Sequence, residues 1–445
     1  MLMLTRSFFQ IGMVQFRAIA AALALALLFL YLLPEPLQHL YTLSPRPVLS
    51  AGALAAGSAG SPLQDQPFVP DTLHSPPCQR PVYLYADLDL ITELPFLTSV
   101  VLAGARDACG ACVRLRQRIE FPIHVRAGLL DCSAFVLAAT FEMSGDELEA
   151  LRSRPALARE RMLYMHLSDE HEDRSVEGYE LPRLILRNYY SASPDRLVNI
   201  SYHLDSASSG GGAQQQQQEE EEEAARALWV PLGFAEGFMP HLSRALNLPS
   251  RDRPLAWSWA GSKDGKWARD YFLKGLEASP HREALMAAGR LHVYLKFMDG
   301  GMMKPIKYSS WLFESRVAPC PNGGSAEQFR VWESLLAGAI PIVPAGNAHL
   351  RYLRLLGFQT IEIPLDRWAE DPAPIMLAAA SNDTFIAQLE GMQAVNAAVL
   401  RRVFHRLQAR VAAEVCAAAG LPCREGVHCP RTHAPTVVAP QCVVE

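Results

Sequence analysis

The first pattern along the chain is an uninterrupted apolar run, Ala18–Leu33, with Arg6 and Arg17 ahead of it and Pro34, Glu35 and Pro36 behind. As a helix this run spans roughly 24 Å, and Val14, Phe16 and a snorkelling Arg17 extend its reach toward that of a thin bilayer. Nearby positive charge precedes the run, and none follows until Arg46. The pattern therefore predicts a transmembrane signal-anchor at 18–33, a cytosolic tail at 1–17 and a lumenal remainder. A cleaved signal peptide is the alternative, with small residues from Ala51 as a distant cleavage site. Residues 34–80 are rich in Pro, Ala, Gly and Ser without apolar periodicity, the composition of a flexible stem.

Alternation from Val82 to Tyr85 predicts the first strand of a folded region. Met162–Leu167 reads as a buried strand, and LILRNYY as another, ending at Arg187 and Asn188. Residues 206–225, SASSGGGAQQQQQEEEEEAA, have nothing to bury and predict a disordered insertion. Past residue 250 the pattern restarts. PLAWSWAGS reads as a strand ending in a turn at Gly261 and Ser262, KWARDYFLKGLEAS as an amphipathic helix, and RLHVYLKF, SSWLFESRVAP and QTIEIP as strands. Helices between about Leu377 and Gly420 close the region. Strands alternating with helices predict an α/β protein with parallel sheets covered on both faces, in domains at 81–250 and 251–415, before a cysteine-containing tail at 416–445.

The densest chemistry lies in APCPNGGSAEQFRVWESLLAGAIPIVP, Ala318–Pro344. Asn322, Gly323 and Gly324 supply a turn that a ligand can approach closely, and Ser325 with Gln328 has capping-box spacing. A helix starting there aims unpaired N–H groups and its positive dipole end at the loop, which favours an anion. Arg330 adds a full charge and a fork for phosphate, while Glu333, on the same face, offers oxygens to sugar or ribose hydroxyls. Gly338 is placed to end the helix before a buried strand, AIPIVP. The plain alternative is a loop–helix–strand unit with Arg330 and Glu333 as a surface ion pair.

The order of glycine loop, arginine, acidic residue and "AG-x-IPV" strand resembles the exostosin-like glycosyltransferases, with the ribitol xylosyltransferase branch a near relative. The acidic pair Asp169–Glu170 after a strand, the "RNY" at Arg187–Tyr189 and the turn Pro231–Leu232–Gly233 extend the resemblance over about residues 80 to 365. It implies two Rossmann-like domains facing a cleft (GT-B architecture) and inverting transfer of a sugar from a nucleotide diphosphate, UDP-linked by expectation, to a glycan or glycoprotein acceptor. It also implies a type II Golgi membrane enzyme with its catalytic region in the lumen. Inversion needs a base for the acceptor hydroxyl and positive charge for the departing diphosphate. Asp169 or Glu170 is the candidate base, and Arg330 the diphosphate partner. Arg187 and Asn188 are candidate acceptor or donor contacts, and Gly261 and Ser262 can also approach the diphosphate, or simply form a turn. Lys304 and Lys307 are weaker phosphate candidates, and His166 reads as structural. A GDP-sugar enzyme of fucosyltransferase type and a non-catalytic lumenal glycan-binding or partner protein are the rival readings.

Composition narrows the partners. A formal net charge of -5 and a pI near 6.2 provide no basic field for a nucleic-acid backbone. The partners expected are the nucleotide-sugar, its acceptor, the membrane through 18–33, and a homo- or hetero-oligomer is left open. Asp87–Leu88–Asp89 is a formal DxD triplet, but it sits where this architecture does not bind its donor, so no metal and no cofactor beyond the donor substrate is expected. The nine cysteines, 78, 109, 112, 132, 320, 416, 423, 429 and 442, all follow the apolar run and predict disulfides in an oxidising lumen. The four from Cys416 onward are expected to staple the tail. An odd count leaves at least one thiol free or bonded to another chain. Asn199 and Asn382 head glycosylation sequons.

Overall fold

The computed structural model describes residues 80–88, 91–140, 142–167, 178–188, 227–235, 237–238, 248–263, 266–294, 303–323, 327–346 and 350–423. The chain divides into compact units at 1–65 and 66–445, and all described residues belong to the second. The expected cytosolic tail, anchor, stem and 206–225 insertion lie outside the described residues. Among the described residues no helix is long and apolar enough to cross a membrane.

Two all-parallel sheets form the unit. The first contains β1 (Arg80–Ala86), β2 (Ala111–Gln117), β3 (Ala134–Ala139), β4 (Met162–His166), β5 (Leu184–Arg187) and β6 (Ala227–Trp229), in the order β2-β1-β3-β4-β5-β6. The second contains β7 (Leu255–Ser262), β8 (Gly289–Tyr294), β9 (Ser315–Pro319), β10 (Ile340–Pro344) and β11 (Ile361–Ile363), in the order β11-β10-β9-β7-β8. Counted along the chain, both sheets begin second-first-third-fourth-fifth. Each is therefore doubly wound, with its switch point between first and third strands.

Strand periodicity sets the layers. Ala134, Val136 and Ala138 of β3 enter one apolar cluster, while Phe135, Leu137 and Ala139 enter another on the opposite face. A strand buried on both faces reads as a continuous apolar run, as expected for parallel sheets. Helices α1 (Ala103–Cys109), α2 (Phe121–Arg126), α3 (Gly145–Arg152) and α4 (Pro155–Arg161) accompany the first sheet. With the second come α5 (Trp267–Ala278), α6 (Arg282–Ala288), α7 (Pro305–Glu314), α8 (Phe329–Ala337), α9 (Arg351–Leu356), α10 (Pro372–Ser381) and α11 (Asp383–Ala418).

Several elements differ from the sequence reading. SSWLFE is helical, the last part of α7, and the strand begins only at Ser315. Its buried residues Ser309, Leu312 and Phe313 recur at helical spacing, and Pro305 starts the helix. Gly261 and Ser262 are the last residues of β7 and pair with Val293 and Tyr294 rather than forming a turn. The closing helices include one 36-residue helix, α11, which supplies Leu389 to the second sheet's cluster and Val411 and Val415 to a cluster shared by both sheets. Cys416, expected in a tail staple, lies within α11 and is bonded to Cys109 of α1. Cys112, Cys132 and Cys423 are also disulfide-bonded, and Cys320 is a buried free thiol.

Candidate active site

The switch point of the second sheet lies between the carboxyl ends of β7 and β9, at Ser262 and Cys320. Asn322 and Gly323 follow Cys320 in the chain, ahead of α8. Gly324 and Ser325 lie outside the described residues. The predicted capping box does not start this helix. Gln328 is the N-cap, in extended conformation, and its side-chain amide donates to the carbonyls of Cys320 (3.2 Å) and Pro321 (2.8 Å). That side chain holds the loop back onto the strand end, and α8 begins at Phe329. Gly338, left-handed at φ 73°, ends it as expected.

Arg330 therefore sits in the first turn, and it is buried, at 9% exposure. Its guanidinium carbon lies 5.0 Å from the Trp259 ring centroid and 6.0 Å from that of Tyr308. Two aromatic faces thus steady a planar cation. Nε and Nη1 are buried with no hydrogen-bond partner among the described residues. Glu333, 3% exposed, directs its oxygens elsewhere: one accepts from the Tyr308 hydroxyl at 2.6 Å, the other from the Ala235 N–H at 3.1 Å. The surface ion pair is thus replaced by a buried cluster.

Electrostatics sharpen this picture. Burial raises the Glu333 carboxyl above its ordinary value, against the pull of Tyr308, Ala235 and Arg330. Burial also pushes the Tyr308 hydroxyl well up and the Cys320 thiol up to about 12, so both are neutral at neutral pH. Burial opposes the charge on Arg330, but coupling to Tyr308 and Cys320 holds its pKa above the ordinary value. Arg330 is therefore a permanent cation whose Nε and Nη1 lack partners among the described residues, a costly arrangement that a bound anion would relieve. Asn322 Oδ1 is likewise buried without a partner among the described residues.

The neighbouring candidates have protein roles. A Cβ on Gly261 would lie 2.6 Å from the Trp259 ring, so this glycine makes room for the indole beneath Arg330. Ser262 accepts from Arg269 Nη1 through its hydroxyl (2.9 Å) and its carbonyl (3.1 Å). Lys304 and Lys307 are exposed, and Lys307 lies 5.4 Å from the Trp311 ring centroid.

In the first sheet, Asp169 and Glu170 lie outside the described residues. Arg187 and Asn188 are buried at the carboxyl end of β5, where Asn188 Nδ2 donates to Glu93 (3.4 Å). His166, fully buried, meets the Tyr179 hydroxyl at 2.5 Å through Nδ1. Asp87 is paired with Arg118 Nη1 at 3.2 Å. Among the described residues no cluster of three or more His, Cys, Asp or Glu could hold a metal ion.

The carboxyl ends of the two sheets meet. Past β6, the Leu232 N–H donates to Glu327 (3.2 Å) just ahead of α8, and the Ala235 N–H reaches Glu333. Trp229 of β6 packs against Trp332 of α8, with centroids 5.8 Å apart. The sequence singled out Arg330 and Glu333 as candidates, whereas Trp259 and Tyr308, which the structure brings against them, stand in apolar segments that mark them only as core residues.

No protein-family model matches the chain, and no curated protein matches it. Solved structures do match. The spinosyn rhamnosyltransferase SpnG aligns at a TM-score of 0.36 and 12% identity, covering 76% of this chain and 99% of that one. The glycosyltransferase SnogD from Streptomyces nogalater aligns at 0.30 and 14%, covering 73% and 99%. An alpha-glucosyltransferase in complex with UDP and a 13-mer DNA aligns at 0.37 and 8%, covering 74% and 99%. The fold itself rests on strand order and register.

Proposed function

We propose that the chain is a GT-B glycosyltransferase of exostosin-like type, transferring a sugar from a nucleotide diphosphate, UDP-linked, to a hydroxyl of a glycan or glycoprotein. The observation that carries this reading is Arg330, a buried cation with Nε and Nη1 unpartnered among the described residues, at the switch point of a doubly wound sheet and in the first turn of α8. A diphosphate supplies acceptors for these donors and adds negative charge beside them. Asn322 Oδ1 offers an acceptor for a ribose or sugar hydroxyl.

In the proposed reaction the acceptor oxygen attacks the anomeric carbon as its proton passes to a carboxylate, for which Asp169 and Glu170 are the candidates. The bond from that carbon to the phosphate oxygen breaks, its electron pair leaves on the diphosphate, and the anomeric centre inverts. Arg330 and the amino end of α8 stabilise the charge that develops there, so the reaction is proposed to need no metal. Arg187 and Asn188 are proposed to line the acceptor side. A lumenal Golgi site, tethered by residues 18–33, completes the proposal.

Titrating UDP- and GDP-sugars into the full chain, with and without chelator, tests it. The expected result is chelator-resistant binding of UDP-sugars that Arg330→Ala abolishes while the variant stays folded. Unchanged binding in Arg330→Ala removes the site, and no nucleotide binding by the folded wild type removes the enzyme reading.

A further inference from the structure

Arg253, between the two sheets in sequence, is 1% exposed, and its guanidinium is spread over backbone carbonyls. Nε donates to Leu248 O (2.9 Å), Nη1 to Ser315 O (2.7 Å) and Leu312 O (3.4 Å), and Nη2 to Ala337 O (2.7 Å). Leu312 lies in the last turn of α7, Ser315 is its C-cap, and Ala337 is the last residue of α8. Helix carboxyl ends leave carbonyls without intrahelical partners and carry the negative end of the helix dipole. One buried cation thus satisfies two such ends at once. Burial lowers its pKa to about 10, so it remains charged at neutral pH.

The two helices held this way are those that build the anion site. Tyr308 lies on α7, one turn before Leu312, while Arg330 and Glu333 lie on α8. The 2.6 Å bond between Tyr308 and Glu333, and the placement of Arg330 near the Tyr308 ring, depend on how far α7 and α8 slide along each other. We propose that Arg253 is a positioning residue for the nucleotide diphosphate: it sets the relative axial position of α7 and α8, and through it the aim of Arg330. The ligand class rests on the proposed function, whereas the clamp itself does not. Lysine cannot replace it, because an ammonium lacks the planar fork that reaches several carbonyls in fixed directions.

Arg316 provides the comparison. It also donates to backbone carbonyls, at Ser250 (2.9 Å) and at Ala379 of α10 (2.6 Å), but touches neither α7 nor α8 through them. Full-length Arg253→Met, Arg253→Lys and Arg316→Met are compared well below their unfolding temperatures by UDP titration and by alkylation of Cys320, located by peptide mapping. Cys320 is buried at the end of β9, and its carbonyl accepts from Gln328, the N-cap of α8 (3.2 Å), so its labelling rate reports movement of that helix. Both Arg253 variants are expected to bind UDP about tenfold more weakly, as small displacements of a positioning group do, and to label Cys320 faster. Arg316→Met is expected to lose thermal stability without either change. If affinity and labelling shift equally in Arg316→Met, or in no variant, the inference is overturned. If the wild type binds no nucleotide, the proposed function falls, and labelling alone decides the clamp. Should Arg253→Met fail to fold, Arg253→Lys carries the comparison.

Discussion

At the scale of single residues, the candidate site depends on the balance around Glu333. Its carboxyl is raised above the ordinary glutamate value of 4.5, so the folded state binds its proton more tightly than the unfolded chain does. That contribution is fully present below the unfolded value and is lost as pH rises through the raised folded value. Wild type should therefore lose stability relative to Glu333→Gln as pH climbs from below 4.5 toward neutrality, read by urea unfolding across that range. A gap between the two proteins that does not change with pH would show that Glu333 is not held in this way. Tyr308→Phe removes the donor of the 2.6 Å bond and leaves a buried carboxylate oxygen short of a partner, at a cost of about 1–3 kcal/mol in unfolding free energy. Arg330 and Glu333 were legible in sequence because charged residues at helical spacing beside a glycine loop stand out. Trp259 and Tyr308 were not, since a tryptophan in an apolar strand and a tyrosine in an apolar helix look like packing until the folded chain brings Arg330 near their rings.

At the scale of elements, α8 shows how a local signal yields to a tertiary one. Ser325 and Gln328 have capping-box spacing, yet the Gln328 side chain spends its amide on the carbonyls of Cys320 and Pro321. Those carbonyls end a buried strand and need donors more than the helix needs a reciprocal cap. Gln328→Ala should lower unfolding free energy by about 1–2 kcal/mol and weaken nucleotide binding, whereas a side chain that acts only as a helix cap would leave binding unchanged. The strand-like reading of SSWLFE failed for a related reason. Apolar residues in a short run fit either period, and the register of Ser309, Leu312 and Phe313 against the second sheet selected the helical one. At the other end of the domain, Asn382 accepts the Phe385 N–H and caps α11, so Asn382→Ala should cost about 1 kcal/mol of stability by thermal or chemical unfolding.

At the scale of the whole described unit, α11 joins the halves. Phe404, fully buried, packs against Phe96 near the first sheet (5.6 Å between centroids) and Trp332 of α8 (6.4 Å). The Cys109–Cys416 disulfide then fastens the end of this helix to α1 across a sequence separation of 307. Replacing both cysteines by serine should lower unfolding free energy by about 2–5 kcal/mol, measured by reversible denaturation under non-reducing conditions. Retention of full stability would mean that α11 packing alone secures the first sheet. By itself the sequence determined the alternation of strands and helices, the two parallel sheets and the loop–helix–strand unit that carries Arg330, because strand and helix periods are local properties of the chain. Tertiary structure alone decided the strand order and switch points, the Cys109–Cys416 pairing, the aromatic surroundings of Arg330 and the clamp at Arg253. Each of these joins residues far apart in sequence, and no local pattern encodes which distant carbonyl, ring or thiol a side chain will meet.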